Sequence, residues 1–172
     1  TGRPASEGAY VRFPWNDLAG ILALEAVRRG ALVIGEDLGT VPPGFARKLA
    51  DWGMLSTRVL FFEKTKSGGI LRASRYSNSA LVTATTHDLG PLAGYLQGRD
   101  LELRRAAGAI SSDRALGAAQ AARRRTRRAL MRRLRMEGLI KKNIRQPAPA
   151  ELCRAVHRFL KRTPAPLIGL ML

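Results

Sequence analysis

Apolar residues alternate along the chain between two patterns. Short runs rich in apolar and β-branched residues predict strands at residues 8–13, 31–34, 58–62, 80–85 and 166–172. Between them, apolar residues spaced three or four apart predict helices at residues 17–29, 40–52, 98–140 and 151–160. Strands that alternate with helices indicate βα units on a parallel sheet, so the pattern predicts an α/β protein.

Five strands are too few to close a (β/α)8 barrel, which needs eight strands and typically about 250 residues. The chain therefore fits about the last five strands of a partial (β/α)8 TIM barrel, or a complete doubly wound domain. One observation argues against a doubly wound domain. The sequence GEDLG at 35–39 lacks the spacing of a phosphate-binding glycine loop and presents carboxylates instead. The predicted division is barrel units at 1–98, an inserted basic helical segment at 99–148, and the last helix and strand at 149–172.

Helical spacing also predicts which side chains face inward. In the first helix the inward stripe is Leu18, Ile21 and Leu22, followed by Glu25, which we expect to pair with Arg28 or Arg29 rather than to serve a site. In the last helix the core candidates are Leu152, Val156, Phe159 and Leu160. The loop at 63–79 is rich in Lys, Ser and Gly, and we expect it to be exposed and mobile.

The basic charge is concentrated in one part of the chain. Thirty Lys and Arg against thirteen Asp and Glu give a net charge of +17. Fifteen of the thirty lie between positions 99 and 145, which hold only four acids. An arginine-rich helix can be a solvated face, which we expect here, or a module that binds nucleic acid or an anionic surface.

The remaining composition narrows the class of protein. With 45% hydrophobic residues the chain can build a core, its single cysteine, Cys153, excludes an internal disulfide, and no run is long enough to cross a membrane. Neither Cys153 nor His157 has neighbours that suggest a metal site. The start at Thr1 shows no signal pattern, so we expect a cytoplasmic protein whose chain begins partway through a longer one.

Candidate chemistry lies directly after two of the predicted strands. Glu36 and Asp37 follow the strand at 31–34, and His87 and Asp88 follow the strand at 80–85. Because parallel strands carry their sites at the carboxyl-terminal edge, these side chains should share one mouth. The alternative for Glu36 and Asp37 is a capping or salt-bridged pair.

Two carboxyl groups at one mouth suit glycosyl chemistry. Cleavage of a glycosidic bond with retention needs a carboxylate nucleophile and a carboxylic acid about 5 to 5.5 Å apart. A glutamate beside a second acid can have its pKa raised enough to donate that proton. Possible surfaces for stacking a sugar ring are Tyr10, Trp15 and Tyr95.

Several motifs resemble, in the same order, the C-terminal half of the amylomaltases, which are 4-α-glucanotransferases or disproportionating enzymes. They are GAYVRFP at 8–14, LALE at 22–25, VIGEDLGTVP at 33–42, VLFFE at 59–63, TTHDL at 85–89 and RTPAP at 162–166. The resemblance implies a TIM-barrel enzyme that moves α-1,4-glucan segments between maltodextrins without metal or organic cofactor.

The resemblance also implies residue roles. Glu36 corresponds to the general acid/base and Asp88 to the third carboxylate, which binds ring hydroxyls and stabilises the transition state. His87 corresponds to a sugar ligand beside Asp88. Asp37 matches the second acid of its motif, a substrate-site position that we expect to orient rather than to react.

Three departures from the family pattern affect the expected activity. The family's nucleophilic aspartate lies in an Arg-x-Asp-His context on an earlier strand, and no such motif occurs here. The Asn-Leu-Pro-Gly segment is absent too, and Gly90-Pro91 replaces the usual x-Pro-Thr after His-Asp. We therefore expect the chain to be inactive alone and to need the missing N-terminal half of the enzyme as its partner.

Overall fold

A computed structural model describes residues 4–9 and 11–170 of the chain. Its sheet has three parallel strands in the order β1, β2, β3, at Ser56–Val59, Ala80–Thr83 and Leu167–Gly169. The register pairs Ser56 with Ala80 and Leu81 with Leu167. The α/β class predicted from the sequence is confirmed.

The helices connect and cover these strands. They are α1 at Trp15–Arg29, α2 at Phe45–Asp51, α3 at Leu92–Gln97, α4 at Arg99–Ala106, α5 at Asp113–Met136 and α6 at Pro149–Leu160, with short 3₁₀ turns at Ala5–Glu7 and Ala73–Arg75. The basic segment predicted as one helical stretch at 98–140 is thus two helices, α4 and α5, and α3 precedes them. Breaks at Gly108 and Gly138, both with positive φ, separate α4 from α5 and end α5.

The main hydrophobic core lies between the sheet and helices α3, α5 and α6. Its fully buried side chains include Val82 of β2, Leu130 and Leu134 of α5, and Val156 and Phe159 of α6. All four core residues predicted for α6 are buried, which confirms that prediction. On α5 the buried residues are Leu130, Met131 and Leu134, where the helix meets the core.

Helix α1 buries a different face from the one predicted. Its only buried residue among those described is Ala19, which packs with Leu49 and Met54, whereas the predicted stripe of Leu18, Ile21 and Leu22 is about half exposed. The inward prediction was wrong because helical spacing shows which side chains share a face, not whether anything covers that face. Glu25 does pair with Arg28, with 2.8 Å between their charged atoms, as expected.

The predicted strand at 31–34 is reduced to one parallel bridge between Ile34 and Leu55 beside β1. It is not buried on both faces, since Leu32 is 54% exposed. A ladder on its outer side would need a further strand, and no other described segment pairs with it. No strand forms in the described part of 8–13, while Tyr10 lies outside the described residues. The predicted strand at 166–172 is β3 over Leu167–Gly169, and positions 171 and 172 are likewise outside the description.

Two further boundaries differ from the sequence prediction. Strand β1 begins at Ser56 and ends at Val59 rather than spanning 58–62, because the chain turns directly after Val59. The loop at 63–79 was predicted to be exposed, yet Ile70, Ala73 and Tyr76 are buried in the main core. Their apolar side chains anchor a segment whose remaining residues are mostly polar.

Candidate active site

The candidate acids lie at one edge of the sheet. Glu36 stands two residues beyond the Ile34 bridge, and His87 stands four residues beyond the end of β2 at Thr83. The bridge and the strands are all parallel, so both segments leave the sheet at its carboxyl-terminal edge. This is the edge at which α/β sheets carry ligand sites.

Glu36 and His87 line the same open cleft, which has a volume of about 360 Å3. Its walls are apolar and hydroxyl-bearing side chains with backbone from β3, namely Ile34, Leu38, Thr57, Leu81, Thr83, Thr85, Thr86, Gly169 and Leu170. Glu36 is the only carboxylate in this lining, and it is exposed to solvent. A carboxyl group and an imidazole above threonine hydroxyls suit proton transfer on a neutral ligand with many hydroxyl groups.

Asp88 lies next to His87 but does not line the cleft. The His87 Nε2 and Asp88 Oδ1 atoms are 3.5 Å apart, and the two side chains are 78% and 75% exposed. The Asp88 backbone N–H donates to the Thr86 hydroxyl at 3.3 Å, which closes a tight turn. The structure thus brings Glu36 and His87 together and holds Asp88 beside the imidazole.

Asp37 is directed into the protein, with its side chain only 3% exposed. Its Oδ1 accepts a hydrogen bond from the Thr57 backbone N–H at 2.9 Å. The Arg58 guanidinium donates to both carboxylate oxygens, at 3.2 and 3.0 Å. Both oxygens are therefore occupied by neighbouring protein groups, and the turn that carries Glu36 is fastened to β1.

The partners of Asp37 are residues that sequence reasoning missed. Arg58 also approaches Glu63, with 3.8 Å between Nε and Oε1. Burial raises the pKa of Glu63, Arg58 opposes the rise, and the nearby Asp37 charge adds to it. The sequence did contain a signal for this pair. Asp37 follows one predicted strand, and Arg58, which has the opposite charge, lies in the next predicted strand.

The glycine before Glu36 allows a close approach between the turn and helix α2. A Cβ atom built on Gly35 would lie 2.7 Å from Leu49 Cδ1, closer than carbon atoms pack. With any larger residue, either the Leu49 side chain or the turn would have to shift. The glycine thus helps to set the position of Glu36.

The proposed stacking residues lie elsewhere. Trp15 packs against Phe45 with ring centroids 5.1 Å apart, and neither ring lines the cleft. The Tyr95 ring lies 4.6 Å from that of Phe61 and is covered by the Arg123 guanidinium at 3.4 Å. The sequence suggested these aromatic residues because it cannot show which ring is already packed; Tyr10 is outside the described residues.

Over residues 4–9 and 11–170, no group of three or more His, Cys, Asp or Glu side chains is arranged to hold a metal ion. Within the same ranges, no helix combines the length and apolarity needed to span a membrane.

Comparison with known proteins identifies the family. Residues 1–172 match the sequence profile of the family described as 4-alpha-glucanotransferase. The chain belongs to this family. It is 39% identical over 175 residues to the 4-alpha-glucanotransferases of Mycobacterium tuberculosis and Mycobacterium bovis, covering 99% of this chain and 24% of each relative. The Haemophilus influenzae 4-alpha-glucanotransferase is 44% identical over 102 residues, covering 59% of this chain and 14% of that protein.

A solved structure agrees with the 4-alpha-glucanotransferase assignment. The amylomaltase from Corynebacterium glutamicum superposes with a TM-score of 0.85 at 37% identity, covering 94% of this chain and 24% of that one. The chain thus spans about a quarter of the length of the mycobacterial and corynebacterial relatives. The family resemblance found in the sequence motifs is confirmed.

Proposed function

We propose that the protein to which this chain contributes transfers α-1,4-glucan segments between maltodextrins or starch-type glucans in the cytoplasm. The observation that carries the proposal is the cleft at the carboxyl-terminal edge of the sheet, which Glu36, His87 and several threonines line together. Family membership gives the reaction class, and the cleft gives an acid with access to solvent. The reaction is a retaining double displacement.

In this proposal Glu36 is the general acid/base. It protonates the glycosidic oxygen of the leaving glucan and then takes the proton from the 4-hydroxyl of the acceptor. His87 donates to a ring hydroxyl, and Asp88 beside it binds hydroxyls and stabilises the positive charge that develops on the sugar. The 3.5 Å contact between His87 and Asp88 supports a shared role at one sugar.

Asp37 holds the acid/base in place rather than binding substrate directly. Its oxygens are engaged by Arg58 and the Thr57 N–H, so a sugar hydroxyl would have to displace one of them. Fastening the turn to β1 fixes the backbone from which Glu36 projects. Such positioning of Glu36 contributes to the reaction rate, because misplacement of a catalytic group by about 1 Å can lower the rate on the order of a hundredfold.

The nucleophile of a double displacement has no candidate in the cleft, since Glu36 is the sole carboxylate that lines it among the described residues. We propose that an aspartate from another part of the full-length enzyme supplies it. The chain alone is then inactive, because without a nucleophile no glycosyl-enzyme intermediate forms.

We also propose that the sheet is part of a (β/α)8 barrel, with the division 1–98, 99–148 and 149–172 given above. The exposed apolar face of α1 supports an upstream segment of the same enzyme as its neighbour. Val27 is 81% exposed, Ile21 is 61% exposed, and Leu18, Leu22 and Leu24 are each about half exposed. Several large apolar side chains exposed on one helix are typical of an interaction site, and the relatives are about four times as long as this chain.

A chimera tests the proposed activity. The segment of the Mycobacterium tuberculosis relative that matches this chain is replaced by residues 1–172, and the purified chimera is incubated with maltotriose. We expect release of glucose and formation of longer maltodextrins, measured by chromatography. Substitution Glu36→Gln should lower this rate by about a hundredfold to ten-thousandfold, as for the loss of a general acid/base.

The matched control is Glu102→Gln, the same change at an exposed residue of α4 that does not line the cleft. Its rate should stay within about twofold of the parent chimera. Activity that survives Glu36→Gln would refute the role of Glu36. Disproportionation of maltotriose by residues 1–172 alone would refute the external nucleophile.

A further inference from the structure

One flank of α5 presents a stripe of arginines that the glucan chemistry does not use. Arg124, Arg127, Arg128 and Arg135 follow one another at offsets of three, four and eleven residues from the first, which places them along one helical face. With Arg145 and Gln146 from the loop after the helix, and Met131 beneath, they line a cleft of about 440 Å3. This cleft is called the arginine cleft below.

No carboxylate lines the arginine cleft. Within the part of the chain that the structure describes, no acid pairs within 4.0 Å with Arg124, Arg127, Arg128, Arg135 or Arg145. Glu102 borders an adjoining cavity together with Arg124 and Arg127 and forms no ion pair with them. Five positive charges therefore surround one small volume without a counter-charge. Like charges three or four residues apart on a helix cost about 0.2–0.5 kcal/mol per pair.

Arg135, which lines the cleft, carries a buried donor that lacks a partner among the described residues. Its terminal nitrogen donates to the Ile144 carbonyl at 2.6 Å, which fixes the guanidinium at the cleft wall. Its Nε is buried and has no hydrogen-bond partner among the described residues. A buried donor on a charged group is costly when it lacks an acceptor. A bound anion next to this guanidinium would relieve the repulsion among the arginines.

We propose that the arginine cleft binds the pyrophosphate group of a multiply charged phosphate ligand. Guanidinium groups match phosphate oxygens with paired hydrogen bonds, and several of them converge here on one volume. The volume suits a small molecule rather than an extended polymer. The ligand is either an inorganic polyphosphate or a nucleoside polyphosphate, because both carry the same group.

The other flank of α5 is also basic, and no carboxylate among the described residues lines its cleft, but one of its arginines is already engaged by protein groups. There Arg125, Arg132, Arg133 and Lys64 line a wider cleft of about 740 Å3. Arg133 is already engaged by the Ile70 carbonyl at 3.0 Å and by Glu137 at 3.8 Å. The two flanks of one helix thus provide arginines of the same type and exposure, one set in the arginine cleft and one outside it.

Titration calorimetry of residues 1–172 with inorganic pyrophosphate, at about 0.15 M salt, tests the proposal. We expect binding at least tenfold tighter than that of orthophosphate. The variant Arg124→Gln/Arg128→Gln should weaken it at least tenfold, and the variant Arg125→Gln/Arg132→Gln less than twofold. Each variant removes two exposed positive charges from α5, so their difference measures the site and not the overall field.

Arg145→Gln lies outside the helix and gives a second probe if the α5 variants fold poorly by circular dichroism. We expect it to weaken pyrophosphate binding at least threefold. Equal losses in the two double variants, equal affinity for orthophosphate, or no binding at this salt would each overturn the proposal.

A further comparison distinguishes the sources of the ligand. Tripolyphosphate that binds as tightly as adenosine triphosphate indicates an inorganic polyphosphate, whereas tighter binding of adenosine triphosphate indicates a nucleoside polyphosphate. If duplex DNA binds in a way that depends on Arg124 and Arg128 while pyrophosphate does not bind, the cleft is part of a nucleic-acid-binding surface and the proposal is wrong.

Discussion

The two ends of the chain are packed very differently, although both contribute to the cleft. In the region from α1 to Met54, the buried cluster among described residues is Ala19, Leu49 and Met54. From Leu60 to Leu160, one cluster contains eighteen buried residues and joins β2 to α3, α5 and α6. Glu36 belongs to the sparsely packed region, and His87 follows a strand of the well-packed one. These two residues, which both line the cleft, thus come from regions that differ in how densely they are packed.

This difference indicates where the stability of the chain resides. The leucine, isoleucine and valine side chains of α1 gain little from folding here because about half or more of each remains exposed. What holds the Glu36 turn is polar, since Asp37 is bonded to Thr57 and Arg58 of β1. Glu36 is therefore positioned largely by the ion pair between Asp37 and Arg58 and by the hydrogen bond from the Thr57 N–H to Asp37.

The largest expected effect comes from truncating one side chain in each region. Phe159 is fully buried, so Phe159→Ala should lower the free energy of unfolding by about 3–5 kcal/mol. Leu22 is 47% exposed on α1, so Leu22→Ala should change it by no more than about 0.5 kcal/mol. Urea denaturation of residues 1–172, followed by far-ultraviolet circular dichroism, measures both. Equal losses in the free energy of unfolding would mean that Leu22 is covered in solution, and the two regions would then not differ in packing.

The next effect concerns the ion pair that joins the two regions. Asp37→Ala leaves the Thr57 N–H and the Arg58 guanidinium without their acceptor, so we expect a loss of about 2–3 kcal/mol. The Thr57 amide should also exchange its hydrogen faster. Asp51→Ala, the same change at an exposed residue of α2, should cost no more than about 0.5 kcal/mol. If the two variants are equally stable, Asp37 does not fasten the turn and is available to substrate.

The sequence predicted best where local pattern and burial coincide. In α6 the helical spacing identified four of the five buried residues, because the core that covers this face is part of the same chain. In α1 the same spacing selected an exposed face, and at 31–34 a run of apolar residues formed only one bridge. Apolar periodicity reports the preference of a segment for burial, and the covering surface has to be found elsewhere.

The site was predicted in the same uneven way. Positions 36 and 87 follow strand-forming segments, and their meeting in one cleft follows from parallel pairing, which the alternation of strands and helices indicates. The Asp37 partner Arg58 is 21 residues away, and its contact depends on the register between the Ile34 bridge and β1. Such a register is set by tertiary packing, so residue spacing alone could not reveal it.

The smallest expected effect comes from removing an unsatisfied polar group inside the well-packed region. The Tyr76 ring packs against that of Phe159. Its hydroxyl is buried and has no hydrogen-bond partner among the described residues. Burial is the chief cause that raises the pKa of this hydroxyl. Tyr76→Phe removes this unsatisfied group while keeping the ring, so it should raise the free energy of unfolding by about 1 kcal/mol. Tyr95→Phe, whose ring is only half-buried, should leave it within about 0.5 kcal/mol. A loss on Tyr76→Phe would show that an ordered water satisfies the hydroxyl, and the core would then be better packed than this atom suggests.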